Sequence, residues 1–395
     1  MSERVIVAPR VPLLSPQFSA LLVANVCFGY AFSSFLLLPK FMNAVLGAGP
    51  EPVGWVTLTH GATIVVVLPL LGAAVDRHGR CRFLTAGALV MAVASAGYAF
   101  VEDVGPLLFA LRMAQALGFS MVFAAGGALA VDLAPPERLG QAIGLYGLSF
   151  LVMNAVATVS AEALAERAGW SAAFVAAAGG ALLCAALSLR IAEPERSRED
   201  DGNGAGLLRV ASRPATLRCL LVIAVVGSAM IAVFTFYQLY AAELGIRRVS
   251  GFFIGYAATA VIMRGALGHW MDRVGNHRAA LAALACYGPA VVATSWLDTV
   301  GLTQLGVLFG LAHSVFYPSF NAVAVSTVRP SERGKLMALF QAAFQLGTAA
   351  GGLWGLLAAQ AGYPAVFRAA AGGVVLALLL LAVSPEGRGR GTPPD

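Results

Sequence analysis

Twelve stretches of about 20 to 30 residues run without aspartate, glutamate or lysine and almost without arginine. They cover residues 11–39, 53–75, 83–101, 104–131, 139–161 and 168–189, then 219–242, 249–271, 279–297, 299–328, 336–361 and 363–383. A helix rises 1.5 Å per residue, so about 20 apolar residues cross the hydrocarbon of a bilayer. No backbone group can go unpaired in lipid, which leaves helices and closed barrels. Barrel strands alternate over about 10 residues, whereas these runs are continuous. The expectation is an all-α membrane protein of twelve transmembrane helices.

Composition agrees. Charged residues make up 12% and hydrophobic ones 59%, against about 25% and 45–50% in soluble domains. That excludes a soluble enzyme, a disordered chain and a disulfide scaffold. The five cysteines show no CxxC spacing and read as small buried residues. Residues 1–16 lack a signal-peptide pattern, so the first run is expected to stay as a spanning helix. A charged stretch, 192–214, separates two six-run halves, 1–191 and 215–384, and a polar tail follows from 385 to 395. Of the 26 Lys and Arg residues, 19 fall on the side of the termini and 5 on the other. This bias predicts cytoplasmic termini in the inner (plasma) membrane. It also accounts for the pI near 9.3 without a nucleic-acid partner.

The halves repeat each other. Gly72, Asp76, Arg77, Gly79 and Arg80 follow the second run, and Gly268, Asp272, Arg273 and Gly275 follow the eighth, 196 residues later. Glu137-Arg138 after the fourth run matches Glu332-Arg333 after the tenth, and Gly169-Trp170 matches Gly362-Tyr363. Duplicated bundles around a midplane site suit a transporter in which one half rocks against the other. Here the chain resembles the major facilitator superfamily of secondary transporters. Its loop motif GxxxD(R/K)xGR(R/K) is matched by Gly72, Asp76, Arg77, Gly79 and Arg80, with Cys81 at the last position. Arg112, Gln115 and Gly118 in the fourth run are similar to the family's RxxQGxG. The fifth run departs from the drug/proton antiporters, since it has no Gly-Pro pair. The resemblance implies two pseudo-symmetric six-helix bundles.

It also implies a latch. Asp76 would meet the positive end of the eleventh helix, near Ser331, when the cytoplasmic side is closed. Arg77 and Arg80 would pair with carboxylates such as Asp132. Gly72 and Gly79 would allow close approach and a tight turn.

Charge inside a span costs at least about 2.5–3.5 kcal/mol and therefore faces a cavity or a partner. By its place in the family motif, Arg112 reads as an anion or substrate contact or as a charge linked to proton movement. Arg264, close to the cytoplasmic end of its run, reads as structural. No carboxylate sits mid-span. The groups left to carry a proton are His60, Glu162, Glu243 and His313, together with Asp132 at a span end; histidine's ordinary pKa of about 6.5 suits the task. A cavity is expected between helices 1, 4, 7 and 10. Candidate wall residues are Asn25, Phe28 and Phe32; Asn154; Tyr237; His313, Tyr317 and Asn321; and Gln341 and Gln345, at helical spacing. Aromatics with uncharged amides suit a moderately apolar ligand. Glycine pairs favour sliding contacts, and Pro69, Pro289 and Pro318 are expected to kink their helices.

The sequence carries no HExxH, GxSxG or GxxxxGK[ST] motif, so neither an enzyme nor ATP-driven pumping is indicated. No cofactor or metal is expected. The leading expectation is a proton-coupled, monomeric exporter of small amphipathic molecules. An uptake permease or facilitator for a sugar or small metabolite is the alternative.

Overall fold

The computed structural model describes residues 13–193, 204–266, 273–298, 300–329 and 332–383. Among these, every regular element is helical. The spans are α1 (Pro16–Ala44), α2 (Pro50–His78), α3 (Arg80–Gly97), α4 (Pro106–Asp132), α5 (Leu139–Ala168) and α6 (Trp170–Ser188) in the first half. The second half has α7 (Pro214–Glu243), α8 (Ser250–Ala266), α9 (Asn276–Ala293), α10 (Leu302–Ser326), α11 (Arg333–Ala361) and α12 (Tyr363–Ala382). Eleven are long and apolar enough to cross a bilayer, and α8 contributes the shorter apolar stretch Ser250–Arg264. An even number of crossings returns the chain to its starting face, here called the terminal face. The opposite face is distal.

Local chemistry sets the ends. Proline occupies the first helical turn of α1, α2, α4 and α7, where its missing N–H is no loss. The Ser15 hydroxyl accepts from the Phe18 amide at 3.1 Å and caps α1. Gly79, Gly169, Gly275 and Gly362 have φ between 80° and 107°. Each ends one helix and starts the next, a corner that a side chain would strain. The corners after α2 and α5 thus recur after α8 and α11, which is the internal repeat expressed as backbone. The helices run on through Pro69, Pro289 and Pro318. Within 192–214, read as linker, Gly204–Ala211 forms a short helix that packs near the start of α11.

Each half has its own core. The first centres on Phe18, Phe28, Met91 and Leu129, the second on Ile223, Phe253, Tyr287, Phe316 and Phe340. The halves meet along two seams, α2 against α11 and α5 against α8. In the first seam glycine replaces side chains: a Cβ on Gly54 would lie 2.7 Å from the Gly351 carbonyl oxygen, and one on Gly61 would lie 2.8 Å from Ala349 Cα. Backbones therefore touch directly, the small-residue contact used between helices in lipid.

Gly268 and Asp272 of the repeated loop motif, and Ser331, lie outside the described residues. Gly72, Asp76 and Arg77 end α2 and Arg273 precedes the corner at Gly275.

Candidate functional site

Between the halves lies a cavity of about 350 Å³. The first half contributes Phe32, His60, Arg112, Phe119, Phe150 and Asn154, and the second Phe234, Tyr256, Arg264, His313, Tyr317, Gln341 and Gln345. Packed rings make much of the wall. Phe32 lies 4.6 Å from Phe119 and 5.6 Å from Phe150, centroid to centroid. His313 stacks on Phe309 at 6.2 Å and sits 5.9 Å from Tyr317. Polar groups are few. Asn154 Oδ1 accepts from Ser33 Oγ at 2.8 Å, and the Tyr317 hydroxyl donates to Gln341 Oε1 at 3.2 Å. His60 Nε2 and His313 Nδ1 are buried without a hydrogen-bond partner.

Of the residues expected on the wall, Phe32, Arg112, Asn154, His313, Tyr317, Gln341 and Gln345 line it. Asn25, Phe28, Tyr237 and Asn321 do not. Asn25 Nδ2 donates to the Tyr146 carbonyl and to Ser149 Oγ, tying α1 to α5. Phe28 is 1% exposed in the first core. The Tyr237 hydroxyl donates to the Val249 carbonyl at 3.0 Å and holds α7 against the start of α8. Asn321, one turn beyond Tyr317 on α10, is not among the lining residues. His60 lines the cavity and Glu243 is exposed at the distal end of α7.

Sequence reasoning missed Phe119, Phe150 and Tyr256, and it read Arg264, which also lines the cavity, as structural. Arg264 had a usable signal: it is the second arginine inside a span, placed in the opposite half from Arg112.

Polar contacts between the halves gather at the distal end. Glu162 of α5, 3% exposed, accepts from Lys40 Nζ at 2.5 Å and from the Val249 and Ser250 amides at 2.8 and 3.1 Å. Its carboxylate thereby caps the positive N-terminus of α8 in the other half. Lys40 Nζ also donates to the Arg247 carbonyl at 2.6 Å, and Gln238 Nε2 to the Leu36 carbonyl at 2.7 Å. Arg248 makes a forked pair with Glu166 at 2.8 and 3.1 Å. Together they tie the two halves to each other at the distal end.

On the terminal face, the ion pairs given by the described residues join groups of the same half. Arg80 pairs with Asp132. Glu193 accepts from the Arg80 and Cys81 amides at 2.6 and 2.9 Å and caps α3, a role not expected from the sequence. Arg213 forks onto Glu332 at 2.6 and 2.7 Å, and this hydrogen-bonded guanidinium holds the Glu332 carboxyl down at about 2. Among the described residues no cluster of His, Cys, Asp and Glu could hold a metal ion.

A sequence profile of the Major Facilitator Superfamily matches residues 20–305 and 256–394. The chain is 25% identical to the multi-drug resistance efflux pump PmrA of Streptococcus pneumoniae over 84% of its own length and 86% of that protein. It is 26% identical to a PmrA homolog of Lactococcus lactis over 90% of each. Among solved structures, the nucleoside transporter NupG superposes with a TM-score of 0.76 at 12% identity, over 93% of this chain and 99% of that one. A bacterial homolog of the lysosomal transporter Spinster, in an inward-facing form, gives 0.70 at 16% identity, over 95% and 96%.

Proposed function

Because the chain belongs to the Major Facilitator Superfamily, we propose that this transporter exports small amphipathic molecules from the cytoplasm in exchange for protons, by alternating access. One observation carries the reading: a cavity with walls from both halves, which polar contacts tie together at one end. Such an interface has two packings, and rocking exchanges them. The excess of Lys and Arg on the terminal side supports a cytoplasmic terminal face in the plasma membrane. The clamped distal face is then the outer one, and the cavity is loaded from the cytoplasm. Efflux as the direction is supported by the PmrA pumps, which the chain resembles over most of its length.

In this reading Glu162 links proton entry to opening. Protonation from outside cancels its charge, so the attraction to Lys40 and to the α8 N-terminus falls and the halves can part there. His60 and His313 are the histidines on the wall and carry the proton onward. The latch at Asp76 and the domain limits 1–191 and 215–384 belong to the same proposal.

A facilitator for a sugar or small metabolite is the second reading, favoured by the uncharged Asn154, Tyr317 and Gln341 on the wall. Reconstituted vesicles separate the two. An imposed pH gradient should drive substrate uphill, away from the cytoplasmic side. Mere equilibration, at a rate indifferent to the gradient, would leave the facilitator.

A further inference from the structure

The cavity has an unbalanced charge inventory. Two guanidinium groups lie on its wall, Arg112 from α4 and Arg264 from α8, and among the described residues no aspartate or glutamate does. Charges inside a span are normally paired. Arg112 finds only a neutral partner: Nη1 donates to Gln115 Oε1 at 3.1 Å, an oxygen that also accepts from the Tyr98 hydroxyl at 3.1 Å. Its Nε is buried with no partner. Arg264 reaches across to the opposite half at Gly147, where a Cβ would sit 3.4 Å from Nη1. Positions 60 and 313 carry histidine, which adds no negative charge. The arrangement crosses the internal twofold: histidine on α2 and arginine on α4 in one half, arginine on α8 and histidine on α10 in the other.

From this charge inventory we infer that the cavity takes a small organic anion, a carboxylate or sulfonate on a one- or two-ring aromatic body, with Arg112 and Arg264 as the positive groups that attract its acid group. The inference rests on the transport reading of the cavity and deepens it by naming the substrate class. Guanidinium forks match carboxylate and sulfonate oxygens with two parallel hydrogen bonds. Phe32, Phe119 and Phe150 on one side and Phe234 and Tyr256 on the other receive the ring. About 350 Å³ is at the small end of ligand sites. The anion also does something that a neutral solute cannot. A bound anion offsets the like charge that the two walls present to each other. Occupancy would then lower the barrier to the turnover step. Export of an anion from a cell that is negative inside also runs down the membrane potential, worth about 2.3 kcal/mol per charge per 100 mV.

The test uses the full-length protein in nanodiscs and three radiolabelled probes of one shape: 1-naphthoate, 1-naphthylmethanol and 1-naphthylmethylammonium. Naphthoate should bind about tenfold or more tighter than the alcohol, and the ammonium weakest. Arg264→Gln should abolish the preference, so that acid and alcohol bind alike, while Arg264→Lys retains part of it. Size-exclusion profiles confirm that each variant is folded, and Arg112→Gln provides an independent second variant. Equal binding of the three probes, a preference for the ammonium, or an anion preference that survives both glutamine variants would overturn the inference. Proteoliposomes keep it separable from the exporter reading. If naphthoate binds preferentially but a pH gradient does not drive it, export fails and the anion site stands. If the gradient drives only the neutral or cationic probe, export stands and the anion site fails.

Discussion

Glu162 concentrates the distal contact in one carboxylate. It holds Lys40 from its own half and two backbone amides from the other. Glu162→Gln keeps the shape and removes the charge. Hydrogen bonds to charged groups contribute about 1.5–3 kcal/mol, so the distal-open form should gain roughly ten- to a hundredfold in population. Faster labelling of a cysteine at Ser250 by an impermeant maleimide reads that gain, and an unchanged rate would remove Glu162 from the clamp. Glu332 provides the contrast. Arg213 depresses its carboxyl to about 2, below the ordinary value near 4.3. Its ion pair therefore contributes fully above that ordinary value and is lost only as pH falls through about 2. Between pH 5 and 8 it does not titrate, so Glu332→Gln should leave the shape of the pH–transport profile unchanged. A shifted profile would make Glu332 part of the coupling. Neither role was legible from residue type alone, because both carboxylates sit near span ends and only the partner across the interface tells them apart.

The helices themselves were readable because lipid demands them: an uncharged run of this length has no other way to satisfy its backbone. The repeat was readable because a tight corner needs glycine, and Gly79 and Gly275 stand in equivalent places. Which face of each helix lines the cavity was not readable. Spans are apolar all round, so residues facing lipid, core and cavity belong to one chemical class. Phe28 and Phe32 are one turn apart on α1, yet Phe28 fills the core and Phe32 the cavity wall. Polar residues misled in the same way, since Asn25 and Tyr237 spend their hydrogen bonds on helix–helix contacts. At this scale the α2–α11 seam makes its own prediction. A leucine at Gly54 has no room against Gly351 and Gly355, and overpacking of this kind costs about 1–3 kcal/mol. Gly54→Leu should therefore prop the distal end open and slow turnover, while Gly127→Ala, where a Cβ meets nothing within 4 Å, should be silent. Equal effects of the two substitutions on transport rate would show that the seam does not govern closure.

Taken whole, the molecule is two helical bundles joined by a glycine seam and a charged clamp, with the cavity between them. Their relative motion is the function proposed here. Locking the clamp should arrest it: in a background lacking the five native cysteines, an oxidised pair made by Glu166→Cys and Arg248→Cys should abolish transport and leave ligand binding intact, and reduction should restore transport. Full transport by the oxidised form would mean that the distal face need not open. The most direct measurement is the distribution of distances between spin labels at those same two positions, by double electron–electron resonance in nanodiscs. Two populations should appear, the short one dominant at neutral pH and the long one growing on acidification and in Glu162→Gln. A single short distance, unmoved by acid, by substrate or by that substitution in a protein that still transports, would contradict alternating access through this cavity.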